Sequence, residues 1–383
     1  MNILRLIYEW PPPWDGMTPG PFELTRAQVE RGHSVHVLCG GWPTHGTEPL
    51  PNVKVTRLPV ALPRLSLFAT TAPALLPAML PHLRWADVIH GHGHVPACYH
   101  AWREAVGGQT PYLLHIDVTA KGRRMLSEAG GASLDFWTDH WEWPLHERSD
   151  RRGCHSADAV VCVSDSVRRQ AIELCGAAPE RTHIVTNGVN TRLFSPDGPD
   201  ERETLGWASD LRIALYVGAL VPRKRVDVLI RALGHLETSW CLLIVGRGAE
   251  KSRLEDLARE LGLSERVRFW GYRPYPEVPI LYRSADMLVL PSSYEGCPKV
   301  VLEGLACGLP VVAGGFELEE GELKEAITWL APDASPEALA GAMRQAADTR
   351  VSEALRQHID WSERAEALDR IYERMLSSHG GGA

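Results

Sequence analysis

Short apolar runs alternate along this chain with longer stretches in which apolar residues recur every three or four positions. The runs predict strands at Asn2–Tyr8, Ser34–Cys39, Val53–Leu58, Asp87–His90, Tyr112–Ile116, Ala159–Val163 and His183–Thr186. Helical spacing falls between them, as at Phe22–Arg31 and Ser166–Cys175. The series turns at Asn187-Gly188 and meets Ser195-Pro196-Asp197-Gly198-Pro199, a cluster with linker chemistry. It then resumes, with strands predicted at Arg212–Val217, Trp240–Val245, Arg266–Trp270, Met287–Leu290 and Pro310–Val312. Helices are predicted at Val226–Leu236, Lys251–Leu261, Glu277–Arg283 and Val300–Cys307.

Strands separated by helices belong to a parallel sheet covered on both faces. The class is therefore α/β, and two similar halves predict two Rossmann-like domains, 1–196 and 197–359. Their ligand is expected in an interdomain cleft, outside the carboxyl ends of the strands. The length of 383 residues agrees, since it exceeds what one core serves.

Composition is that of an ordinary globular protein, with 44% hydrophobic and 23% charged residues. A net charge of −8 argues against a basic nucleic-acid-binding face. The eight cysteines are scattered without a C-x-x-C pair, so we expect reduced thiols and a cytoplasmic protein. Ile3–Tyr8 is interrupted by Arg5 and soon meets Pro11-Pro12-Pro13, which does not read as a signal peptide. Leu65–Leu83 is apolar and free of Asp, Glu, Lys and Arg, but Pro73, Pro77 and Pro81 would break a spanning helix. It reads as a helix or loop packed on the first domain. The sharper alternative is a peripheral contact at the inner membrane face, for a lipid-linked acceptor.

The segment Tyr294–Val312, YEGCPKVVLEGLACGLPVV, carries the most chemistry. Glu295 is followed by the loop Gly296-Cys297-Pro298 and then by an apolar helix bearing Glu303. Pro298 suits the first turn of that helix. The helix N-terminus offers N–H donors and partial positive charge to a phosphate, from Lys299 and Val300. On a single helix, eight residues would separate the glutamates by about 12 Å. That exceeds the roughly 5–9.5 Å of a glycosidase pair. Separate roles on one long ligand, a nucleotide sugar, fit better.

The block resembles the E-x7-E signature of the family-four retaining glycosyltransferases, which have the two-domain GT-B fold. Other stretches resemble that family in order. They are WDG at Trp14–Gly16, ERGHSVHVL at Glu30–Leu38, DVIHGH at Asp87–His92, HIDV at His115–Val118 and NGVNTRLFSP at Asn187–Pro196. YVGALVPRKRVDVLIRAL at Tyr216–Leu233, LLIVGRG at Leu242–Gly248 and DWSERAEALDRIYERML from Asp360 complete the set. The terminal helix, within 360–377, is expected to pack back on the first domain.

The resemblance implies a role for each site residue. Lys224 matches the lysine that grips the diphosphate. The arginine position directly after Gly218 is Ala219, and Arg223 is the candidate to supply the missing charge. Glu303 matches the glutamate that accepts both ribose hydroxyls, and Glu295 the one that contacts the transferred sugar. Gly296 and Cys297 stand in the phosphate loop. Gly16 matches a glycine near phosphate or sugar, with Asp15 as a departure beside it. His115 matches the histidine at the catalytic centre. Asp117 is taken with the acceptor, as is Trp141 in the tryptophan-rich 137–146 segment, although helix packing also explains those rings. His90, His92 and His94 alternate, but cleft lining fits them better than a metal site. Arg247 stands where the family has an acid.

These features imply a retaining glycosyltransferase acting on a nucleoside-diphosphate sugar and a glycan, lipid-linked or small-molecule acceptor. No metal or other cofactor and no nucleic-acid partner are expected. The alternatives are a GT-B sugar-nucleotide epimerase, a phosphorylase or a non-catalytic nucleotide-sugar-binding protein. A nicotinamide dehydrogenase fits poorly, because no G-x-G-x-x-G follows the first strand.

Overall fold

The computed structural model describes residues 1–12, 14, 18–40, 46–58, 74–93, 95–106, 109–122, 124, 143–318 and 321–380. The chain divides into two units, with the boundary at Asn187–Gly188 and the segment from Trp361 returning to the first unit. The linker-like 188–196 segment thus packs with the second unit. Val189 bridges Asp360, and its N–H donates to the Ile359 carbonyl at 2.9 Å.

The first unit holds β1 (Asn2–Ile7), α1 (Pro19–Glu30), β2 (Ser34–Gly40), β3 (Val53–Leu58), β4 (Val88–His92), α2 (Ala97–Val106), β5 (Tyr112–Ile116), α3 (Trp143–Ser156), β6 (Ala159–Cys162), α4 (Asp165–Cys175) and β7 (Thr182–Ile184). Its strands form a parallel sheet in the order β3-β2-β1-β4-β5-β6-β7. Helix α4 shows how local sequence sets a boundary. Ser164 Oγ accepts the Val167 N–H at 3.3 Å, and Gly176 closes the helix in the left-handed conformation at φ +73°.

The second unit holds β8 (Arg212–Val217), α5 (Val226–Leu233), β9 (Trp240–Val245), α6 (Lys251–Glu260), β10 (Val267–Gly271), α7 (Pro279–Arg283), β11 (Met287–Leu290), α8 (Lys299–Ala306), β12 (Val311–Gly314), α9 (Glu322–Glu325), β13 (Ile327–Leu330), α10 (Pro336–Ala346) and α11 (Glu353–His358). The order β10-β9-β8-β11-β12-β13 is again parallel. In each sheet the order reverses once, at β1/β4 and at β8/β11. Such a switch point opens a crevice beyond the carboxyl strand ends, where ligands bind.

Predicted strands agree closely with those observed, and β13 is the addition. It is a four-residue edge strand with Trp329 36% exposed, so it lacks the all-apolar signature of β11 beside it. Helix α12 (Trp361–Gly380) packs on α1 in the first unit. Trp361, Ala365, Leu368, Ile371, Tyr372 and Met375 join one core with Ile3, Ile7, Trp10, Phe22 and Leu24. Asp369 ties it down, accepting from Arg31 Nε at 2.6 Å and pairing with His33 Nε2 at 2.9 Å.

Candidate active site

In the second unit, the loop after β8 meets the loop after β11 at the switch point. Arg223 and Lys224 lie on a 3₁₀ turn at Pro222–Lys224. Both donate to Oε1 of Glu295, Arg223 Nη1 at 3.1 Å and Lys224 Nζ through a close ion pair. Arg223 Nη1 also donates to the Tyr294 carbonyl at 3.1 Å, and the Ser293 N–H returns a bond to the Arg223 carbonyl at 2.9 Å. Two cations thus share one carboxylate, leaving one net positive charge.

Electrostatics hold this arrangement ionised. Burial opposes the charge on Glu295, but Lys224 and Arg223 outweigh it and keep its carboxyl below the ordinary value. Burial pushes the Lys224 ammonium down from its usual value, and Glu295 opposes that shift. Arg225, next in the chain, adopts φ +52°, an uncommon conformation for a residue other than glycine. Its guanidinium anchors this turn by donating to the carbonyls of Pro332 and Ala334.

Helix α8 begins at Lys299, so Pro298 is the residue before the first turn, one position earlier than its expected place within it. Pro298 itself supplies no side-chain cap. The Val301 N–H bonds back to the Pro298 carbonyl at 3.1 Å. Lys299 and Val300 occupy the first turn, where N–H groups lack partners within the helix. Glu303 sits one turn further on, 7% exposed, and its Oε2 accepts the Tyr282 hydroxyl at 2.7 Å.

Glycines let these loops approach. A Cβ on Gly246 would lie 1.8 Å from the Gly218 carbonyl oxygen. Gly315, at φ +82°, receives the Glu295 N–H on its carbonyl, and a Cβ there would lie 2.4 Å from the Ser292 oxygen. Gly246 and Gly315 were not singled out as packing positions from sequence. Arg247 stacks its guanidinium over the Tyr272 ring at 4.6 Å. Ala219 is exposed, and its carbonyl accepts the Tyr216 hydroxyl at 2.8 Å.

In the first unit, the carboxyl ends of β4 and β5 bring three histidines together. His92 is paired in register with His115, and His90 with Arg5 of β1. His90 Nε2 lies 3.2 Å from His115 Nδ1. His92 stacks on His90, with centroids 4.5 Å apart and planes 5° apart, and lies 4.8 Å from the His115 ring. Burial lowers the pKa of all three, so they are neutral at pH 7. One ligand atom from each lies within 4.8 Å of the others, a spacing able to hold a metal ion. The buried Arg5 cation, with Nη2 3.5 Å from His90 Nδ1, opposes a second cation there.

Asp117 follows β5, half-buried. Trp143 opens α3 with its ring edge-on to His146, which is the helix-packing role. Asp15, Gly16, His94, Trp137, Trp141 and positions 65–73 of the apolar 65–83 stretch lie outside the described residues. Sequence reasoning missed Tyr282, Tyr372 and Gln28. They come from elements distant along the chain and carry no local motif.

Residues 14–193 match the family described as Glycosyltransferase Family 4, and residues 197–366 match Glycosyl transferases group 1. A D-inositol 3-phosphate glycosyltransferase from Acidothermus cellulolyticus is 31% identical over 292 residues, 70% of this chain and 58% of that protein. The chain spans little more than half the length of the curated relatives it matches. Sucrose-phosphate synthase from Thermosynechococcus elongatus has a similar structure, with a TM-score of 0.79 over 98% of this chain and 99% of that one, at 22% identity. Anabaena HepE, solved with UDP and glucose, gives a TM-score of 0.68 over 100% of both chains at 18% identity. Two parallel α/β units, the E-x7-E loop at the second switch point and these matches lead to one conclusion: the chain belongs to the family-four glycosyltransferases and has the GT-B fold.

Proposed function

We propose that the chain is a retaining glycosyltransferase that moves a sugar from a nucleoside diphosphate to a hydroxyl acceptor. The observation that carries this reading is the convergence of Arg223, Lys224 and Glu295 at the β8/β11 switch point, with Glu303 on the adjoining helix. Breaking a sugar–diphosphate bond builds negative charge on the departing phosphate. Preorganised cations and helix N–H donors stabilise that charge most. Lys224, Arg223 and the α8 N-terminus supply both, and no metal enters the proposed step. Glu303, with one oxygen held by Tyr282, takes the ribose hydroxyls. Glu295 is assigned to the transferred sugar, and the family resemblance assigns His115 a catalytic role.

The C1–O bond to phosphate breaks while the acceptor oxygen bonds C1 on the same face. The acceptor proton passes to the departing phosphate oxygen. This course follows from the family resemblance. A polyol phosphate is the first acceptor to try, because the curated relatives act on D-inositol 3-phosphate by name. Glycan and lipid-linked acceptors come next. No helix among the described residues is long and apolar enough to cross a membrane. A cytoplasmic location with peripheral membrane contact stays part of the proposal.

Thermal shifts with saturating UDP, GDP and ADP test the donor site, in the wild type and in Glu303→Ala. Ligand at 100 times its Kd stabilises by about 2.7 kcal/mol. A shift with one nucleotide that vanishes in the variant supports the reading and identifies the base. No shift with any nucleotide removes its foundation.

A further inference from the structure

Five buried side chains of the first unit form one hydrogen-bonded file, and its direction is set from one end. Arg5 on β1 is 0% exposed, and a guanidinium only donates. Its Nη2 donates to Gln28 Oε1, while Nη1 donates to Thr25 Oγ1 and to the Pro21 carbonyl at 3.1 Å. The Gln28 oxygen is therefore the acceptor, and its amide nitrogen donates to the Tyr372 hydroxyl at 3.2 Å. The hydroxyl accepts this hydrogen bond and directs its own proton to His90 Nδ1 at 2.6 Å. Arg5 Nη2, 3.5 Å from the same nitrogen, also requires it to be bare. Neutral His90 then carries its proton on Nε2, which faces His115 Nδ1 at 3.2 Å.

We infer that His115 presents an Nε2–H donor rather than a base, and that Tyr372, directed by Gln28, is the positioning residue that sets this tautomer. The relevance of His115 to sugar transfer rests on the function proposed above; the tautomer does not. His115 Nδ1 must accept, so its one proton sits on Nε2. Among the described residues no partner takes that nitrogen. His92 covers the pair from the side and offers no hydrogen bond of its own. Burial keeps the Tyr372 hydroxyl protonated, up at about 12. A donor at this place stabilises oxygen that gains charge, and it leaves the acceptor proton to the departing phosphate.

The file predicts its own reversal. A carboxylate in place of Gln28 accepts from both Arg5 and Tyr372, so the tyrosine then offers His90 a lone pair instead of a proton. Long-range ¹H–¹⁵N spectra of ¹⁵N-histidine-labelled protein read the tautomers, with His90→Gln and His115→Gln variants for assignment. In the wild type, both rings are expected as Nε2–H; a His115 ring carrying Nδ1–H overturns the inference, whether or not any variant folds. In Gln28→Glu, both rings are expected to switch to Nδ1–H. Transfer is expected to fall about a hundredfold, in line with loss of one preorganised donor. Nucleotide affinity, read on the second unit, stays unchanged. Adding Tyr372→Phe removes the lone pair and restores the Nε2–H tautomer. A Gln28→Glu protein that keeps Nε2–H on His115 removes Tyr372 from the positioning role. If nucleotide never binds, the proposed function fails while the spectra still decide the tautomer.

Discussion

The Tyr282 hydroxyl donates to Oε2 of Glu303 at 2.7 Å, joining the short helix before β11 to the helix that follows it. Burial, followed by the Glu303 charge, holds the tyrosine well above its ordinary pKa. A hydrogen bond to a charged group contributes about 1.5–3 kcal/mol. Here it fixes the carboxylate that is to grip the ribose. Tyr282→Phe is expected to raise the Kd for the nucleoside diphosphate roughly tenfold, which is about 1.4 kcal/mol. Turnover at saturating donor changes less. Calorimetric titration measures this, and an unchanged Kd would separate Glu303 from the nucleotide.

Lys224 and Glu295 are expected to fail in different ways. Lys224→Met removes a cation aimed at the departing phosphate, so kcat/KM drops about 10²–10³-fold. Glu295→Gln removes the charge that supports Lys224 against burial. The lysine pKa then falls further. An anionic donor needs the protonated lysine, so the alkaline limb of the kcat/KM profile moves to lower pH. A profile that stays in place would show that Lys224 does not titrate with donor affinity.

These pairings show what the sequence makes legible. Glu295, Glu303, Lys224 and His115 stand in short ordered motifs, and it is the family resemblance of those motifs that singled them out. Their supports were not legible. Tyr372 reaches His90 across 282 positions, and Gln28 looks like any polar residue on an amphipathic helix. Arg5 read only as an interruption of an apolar strand. The pattern reports which residue is polar, not which polar partner lies beneath it. Strand β13 escaped for a related reason, since an edge strand of four residues has too few buried positions to announce a period.

Two glycine substitutions are expected to have opposite signs. At Gly246, φ is +148° and an added Cβ collides with the Gly218 backbone, which no rotamer change relieves. Gly246→Ala is expected to cost several kcal/mol, the tail reserved for strained sites and overpacking. It also displaces the loop entering Arg223 and Lys224. Gly341 lies exposed within α10 with nothing near its Cβ position. Gly341→Ala is expected to stabilise by about 0.5–1 kcal/mol through helix propensity. Urea unfolding of both variants checks the pair; equal effects would mean that the loop contact is not tight.

Attachment of the C-terminal helix should depend on acid through Asp369. Burial raises the pKa of this carboxyl, but hydrogen bonds and charge from His33 and Arg31 outweigh it and bring it below its ordinary value. A depressed carboxylate contributes stability that is present above its unfolded pKa of about 3.9 and is lost as pH falls through the folded value. The wild type should therefore weaken below about pH 4, while Asp369→Asn, which has no proton to gain there, shows a flatter profile. At pH 7 the variant is expected to lose about 1–3 kcal/mol, because one neutral amide oxygen replaces the two carboxylate oxygens that Arg31 and His33 contact. Since Tyr372 lies one turn further along the same helix, loosening at Asp369 should also disturb the His90 hydrogen bond. Hydrogen exchange over 361–380, followed from pH 7 to pH 3, measures the attachment directly. Equal acid sensitivity in wild type and variant would place the titrating group elsewhere.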